Sequence, residues 1–174
     1  MAPLLPPTGR PQGENRPKGL NALGVLARYP ALALAYNTFS GQVMYGSTLS
    51  PRHRELLVLR VAAVRDSEYE WRQHVASAGD NGVDPEEVTR VRAGAEAPGW
   101  SELEQALLRS VDELLGDALI ADGTWSVLAG ALEEQQLMDV VFTVGAYDVL
   151  AMALRTFAVP LDDDLLRHDD LMQQ

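Results

Sequence analysis

The sequence predicts an all-α protein folded as one domain. Three observations carry this. Apolar residues recur at helical spacing from Leu20 onward, helix-start signals punctuate the chain at regular intervals, and no stretch alternates as a half-buried strand would. With 174 residues and 47% hydrophobic content the chain suits a single sizeable core.

The elements follow in order. Residues 1–18 hold five of the ten prolines and little apolar periodicity, which predicts an extended N-terminal arm. Leu20 to Ala27 reads as a short helix stopped near Pro30, and Ala31 to Tyr45 as a second. Ser50-Pro51 supplies an N-cap and a proline at the first helical position, opening a third helix to about Val64. After a break at Arg65-Asp66, a fourth runs from Ser67 to about Ala78. Asp84-Pro85-Glu86-Glu87 opens a fifth, Ser101-x-x-Glu104 is a capping box opening a sixth, and Asp122-Gly123-Thr124 starts a seventh. Trp100 and Trp125 are expected to be packing residues. Glu133 to Ala158 is the last long helix. Its uncharged middle, Val140 to Tyr147, predicts burial in the core or at a subunit interface. The domain is thus expected over 19–160, with 161–174 a solvated acidic tail.

Composition removes several functions. The chain has no cysteine, so disulfides, thiolate metal sites and thiol redox catalysis are excluded together. A net charge of −11 argues against nucleic acid as a partner. The N-terminal stretch lacks an apolar signal region and no uncharged run reaches the length of a membrane span, so the expectation is a cytoplasmic protein with no membrane partner.

One stretch concentrates the chemistry. Ser67, Glu70, Trp71 and His74 fall at i, i+3, i+4 and i+7 of the fourth helix. Glu70 can reach His74, and a carboxylate beside an imidazole steadies its charged form or fixes its tautomer for acid–base work. If the break near Arg65 folds the third helix back, Glu55 also faces His74. Ordinary roles stand beside these: Ser67-x-x-Glu70 is also a capping-box pattern, and Glu55 could be a solvated first-turn carboxylate. A metal site of Glu55, Glu70 and His74 lacks a second histidine at suitable spacing, so no metal is assigned. Arg60 could hold a substrate carboxylate or pair with an acid, Tyr147 could turn its hydroxyl into a pocket, and Asp112 is expected to be exposed.

The segments LSPRHRELLVLRVAAVRDSEYEWRQHV, GWSELEQALLRSVDEL and EEQQLMDVVFTVGAYDVLAMAL resemble the carboxymuconolactone decarboxylase family, which shares its fold with the alkylhydroperoxidase AhpD. The likeness is to a cysteine-free branch. Redox members carry a glutamate, a C-x-x-C and a histidine. Laid on this chain they fall on Glu55, on Ser67 and Glu70, and on His74. The resemblance therefore implies that the acid–base pair is kept while the thiols are absent, which disfavours peroxidase activity. It implies a cofactor-free carboxy-lyase acting on a small lactone or carboxylic acid, with His74 as proton donor and Glu55 and Glu70 tuning it. Ser67, Tyr69, Trp71, Tyr147 and Arg60 would contact substrate. It also implies a homotrimer or homohexamer. Two carboxylates would repel an anionic substrate unless arginines intervene or one is protonated. The other reading is a non-catalytic, oligomeric small-molecule-binding module of the same fold. A His74 facing bulk solvent would count against the enzyme.

Overall fold

A computed structural model describes residues 19–165. They form α1 (Leu20–Leu26), α2 (Pro30–Tyr45), α3 (Pro51–Val64), α4 (Glu68–Ala78) with a 3-10 turn at Gly79–Asn81, α5 (Pro85–Ala93), α6 (Glu102–Asp117), α7 (Asp122–Ala131) and α8 (Glu134–Thr156). No strand occurs among the described residues. The expected Pro-rich arm and the end of the acidic tail lie outside them.

The architecture is organised around α3, which packs against α4, α5, α6 and α8. Its burial runs almost all round: Glu55 to Leu59, Val61 and Ala62 are all buried. The helix therefore divides the core in two. Leu57, Val58 and Val61 join Leu107, Val111, Val144 and Tyr147 in one cluster. Leu56 and Leu59 join Val83, Val91, Trp100 and Leu108 in the other.

Local chemistry sets the element ends. Ser50 caps α3 by accepting from the His53 amide, with Pro51 at the first position. Asp84–Glu87 and Ser101–Glu104 form complete capping boxes. Arg52 then binds these starts together, donating to Glu87 at 2.6 Å and to Glu104 at 2.8 Å. It thereby joins the N-terminal ends of α3, α5 and α6. The Arg52 bonds, by stabilising the carboxylate, hold Glu87 down at about 2.

The turn between α3 and α4 is a Schellman motif. The Ser67 amide donates to Ala62 O at 2.9 Å and the Asp66 amide to Ala63 O, while Asp66 sits at φ 50. This reverses the chain and lays α4 back along α3.

Three expectations are corrected, and the one for α8 is met on one face. Pro30 opens α2 at its first position besides ending α1. Trp125 is 45% exposed, so only Trp100 packs inside. The middle of α8 is buried on one face only, with Val140, Thr143, Val144 and Tyr147 inside and Val141 and Phe142 outside. The tail is not wholly solvated: Asp162 and Leu165 are buried, and Asp162 accepts from the Asn21 amide at 2.8 Å and the Tyr69 hydroxyl at 2.5 Å. By length and composition α8 is apolar enough to cross a membrane. Here it lies along α2, α3 and α6, and its Asp148 pairs with Arg65 at 2.6 Å.

Candidate active site

The reversal at Arg65-Asp66 brings Glu55 to His74. Nδ1 of His74 lies 3.0 Å from Glu55 Oε1. The carboxylate accepts, so Nδ1 carries the hydrogen and Nε2 stays outside the pair. Glu55 is fixed further by Asn81, whose Nδ2 donates to Oε2 at 3.0 Å, and by the Ser77 hydroxyl 3.2 Å from Oε1. Every oxygen of Glu55 is thus committed. The Glu55 side chain is 3% exposed and that of His74 16%, so the imidazole keeps limited access and does not face bulk solvent. Its ring meets Tyr147 edge to face at 5.2 Å.

Glu70 stands beside this pair in a different condition. It is 2% exposed, and neither oxygen has a hydrogen bond of ordinary geometry among the described residues. Burial raises its carboxyl to about 7. The neighbouring Ser67 hydroxyl and His74 offset part of this, and Asp148 adds to it. Glu70 is therefore an acid that holds its proton up to neutrality.

The capping-box role for Ser67 and Glu70 does not form: the Ser67 side chain makes no cap bond. The reason is local. In a capping box the glutamate accepts from the amide of the cap residue. That amide, on Ser67, is already spent on Ala62 O in the Schellman turn. Glu70 is left without its usual partner and turns inward. Thr143 on α8 likewise buries an unpartnered hydroxyl.

The remaining expected site residues divide. Tyr147 is at the dyad. Burial and the nearby Glu55 raise its phenol well above the usual tyrosine range, and its hydroxyl makes no hydrogen bond among the described residues. It stays a protonated, uncommitted donor. Tyr36 donates to Ala146 O at 3.1 Å and is close enough to Glu70 to feel its charge. Three residues are not brought to the site. Arg60 spends Nε and Nη2 on Asp112 and Nη1 on the carbonyls of Val91 and Arg92, so it is a clamp between α3, α5 and α6. Asp112, expected to be exposed, keeps a side chain 37% exposed while it accepts from Arg60. Trp71 lies under the Arg92 guanidinium, 4.0 Å from the ring centroid, and packs with the second cluster. Tyr69 is held by Asp162 and the Ala22 amide.

Ser77, Asn81 and Tyr36 were not found from sequence. Ser77 and Asn81 follow His74 at i+3 and i+7, the same spacing that pointed to Ser67 and Glu70, so continuing that face would have reached both. Tyr36 carries no such local signal. Among the described residues no group of three or more acids and histidines is arranged to hold a metal ion.

Comparison with known proteins agrees with this architecture. The carboxymuconolactone decarboxylase family model matches residues 30–113, from α2 into α6. An Agrobacterium tumefaciens protein of unknown function, grouped with the antioxidant defence protein AhpD, superposes with a TM-score of 0.73 at 18% identity. The match covers 86% of this chain and 99% of that one. A peroxidase-related protein from Silicibacter sp. TM1040 gives 0.73 at 16% identity, covering 82% and 76%. An AhpD-core, peroxidase-related protein from Ralstonia eutropha JMP134 gives 0.73 at 15%, covering 83% and 78%. At such identities these structures share the fold. No curated protein matches the sequence. The carboxymuconolactone decarboxylase family model thus falls on the segment that holds Glu55 and His74, and the fold around that segment is AhpD-like.

Proposed function

We propose that the protein is a cofactor-free acid–base enzyme acting on a small lactone or carboxylic acid, by decarboxylation or enolisation. The observation that carries this reading is the Glu55–His74 pair: a nearly buried carboxylate fixes one imidazole nitrogen and leaves Nε2 uncommitted. In a decarboxylation the carbon–carboxylate bond breaks, carbon dioxide leaves, and the electron pair is delocalised into the conjugated carbonyl as an enolate. The imidazolium of His74 then donates its Nε2 proton to carbon, and Glu55 stabilises that imidazolium. In an enolisation the same nitrogen removes a proton first.

Glu70 answers the problem of two acids in one site. Burial favours its protonated form up to about pH 7, so it repels an anionic substrate less than an ordinary carboxylate, and when protonated it offers a hydrogen-bond donor to the developing enolate oxygen. The protonated Tyr147 hydroxyl serves the same end. Peroxidase chemistry would need a thiolate, which the chain lacks.

The working protein is proposed as a cytoplasmic homotrimer or homohexamer, with a small molecule as its other partner. The exposed apolar side chains of Met138, Val141, Phe142, Val149 and Met152 on α8 support self-association.

A substrate screen of wild type against His74→Ala and Glu55→Gln tests the proposal. Turnover is expected to fall about 100-fold or more in His74→Ala, with helical circular dichroism unchanged. Equal turnover in His74→Ala would overturn the role given to His74. Tight binding of a screened compound without turnover would favour the binding-module reading.

A further inference from the structure

Resting on the acid–base reading, we infer that Arg54 is the residue that selects and orients a carboxylate-bearing substrate at the His74 site. Arg54 precedes Glu55 on α3 and lies one turn before Leu57 and Val58, which share a core cluster with Tyr147. Adjacent residues on a helix do not face each other, and Glu55 already has both oxygens engaged, so Glu55 does not neutralise it. Arg54 is half-buried, and its guanidinium makes no hydrogen bond or ion pair among the described residues.

That condition sets it apart from its neighbours. Arg52, Arg60, Arg65, Arg72 and Arg109 each bond a carboxylate. Arg90 and Arg92 lie over indole rings, and Arg155 donates to the Arg65 carbonyl. In a chain with 25 acids and 14 basic residues, a half-buried arginine without an acid is conspicuous. A partly desolvated guanidinium is costly unless something pairs with it, and its planar fork fits a carboxylate. The charge of Arg54 also reaches the Tyr147 hydroxyl, whose ring lies against His74. A carboxylate held by Arg54 would therefore place the rest of a small substrate beside Tyr147 and the imidazole. With Glu55 spent on His74 and no second unpaired cation described beside Arg54, one cation suits a monoanion better than a dianion.

The test is a binding comparison in matched pairs. One pair is a butenolide bearing an acetate arm and its primary amide; the other is phenylacetate and phenylacetamide. Each is titrated by calorimetry into wild type, Arg54→Gln and His74→Ala, with solution mass measured for all three. Wild type is expected to bind at least one carboxylate about tenfold or more tighter than its amide. Arg54→Gln should erase that preference and leave amide binding unchanged, and His74→Ala should retain the preference. A wild type without preference, or a preference that survives in Arg54→Gln, overturns the inference. So does a change in solution mass with the preference intact, which would assign Arg54 to a subunit contact. Because the readout is binding, loss of turnover in His74→Ala and loss of selectivity in Arg54→Gln report separately on the two readings.

Discussion

Glu70 owes its chemistry to one hydrogen bond made by another residue. The Ser-x-x-Glu pattern at Ser101–Glu104 closes as a capping box, and the same pattern at Ser67–Glu70 does not, because the Ser67 amide is donated backwards to Ala62. The resulting neutral acid makes stability depend on pH. Its folded value, about 7, lies above the ordinary carboxyl value of 4.5. The folded state therefore binds this proton more tightly, and the associated stability is full below 4.5 and lost as pH rises through 7. Glu70→Gln keeps the shape and cannot lose the proton. Relative to that variant, wild type is expected to weaken by up to about 3 kcal/mol between pH 4.5 and pH 8. Urea melts at the two ends of this range check it, and a difference that does not change with pH would contradict the assignment. At this scale the sequence was half legible. Spacing put Glu70 and His74 on one helix, and the family resemblance added Glu55. Glu70 also feels Asp148 and Tyr147 of α8, more than sixty residues away, and no local pattern reports that.

The α3–α4 reversal is the element on which the site depends. Asp66 at φ 50 occupies the left-handed position that ends α3, where glycine or asparagine is the usual choice. A β-branched residue fits that conformation poorly. Asp66→Val is expected to cost about 1–2 kcal/mol and to loosen the contact between Glu55 and His74. Thermal melts read the first effect, and the imidazole nitrogen shifts of His74 read the second. A melt unchanged from wild type would show that the turn carries no strain. Most elements were legible because their ends carry explicit chemistry. Pro51, Pro85 and the Ser101 box fix three starts to the residue. Where the signal was composition alone, it said less. The uncharged run in α8 suggested burial in the core or at a subunit interface, and one copy buries one face of it: an apolar residue facing outward leaves the same trace as one facing inward. Arg60 shows the converse. Its place on the helix that carries Glu55 was legible, whereas its bonds to Asp112 and to two carbonyls of α5 arise only from tertiary packing.

At the scale of the whole molecule, α8 and α2 leave an apolar surface that the described residues of one copy do not cover. Phe39 and Phe142 meet edge on, 6.2 Å between centroids, at its middle, and both stay more than a third exposed. Self-association through this face predicts a solution mass that is a multiple of 19.0 kDa, measured by light scattering. Phe142→Glu with Val149→Glu should return the mass to one chain, whereas a wild-type monomer at micromolar concentration would remove the interface. The all-α class was legible from periodicity because helices are set by neighbours three and four residues apart. Contacts across the chain were not. Asn21 donates its amide to Asp162 and its side-chain nitrogen to the carbonyls of Pro160 and Leu161, while Tyr69 donates to the same aspartate. The described chain is thereby closed almost into a ring, and its clasp is a tyrosine on the helix that also carries His74. Whatever loosens either end of the ring loosens the seat of the imidazole, although neither end touches it.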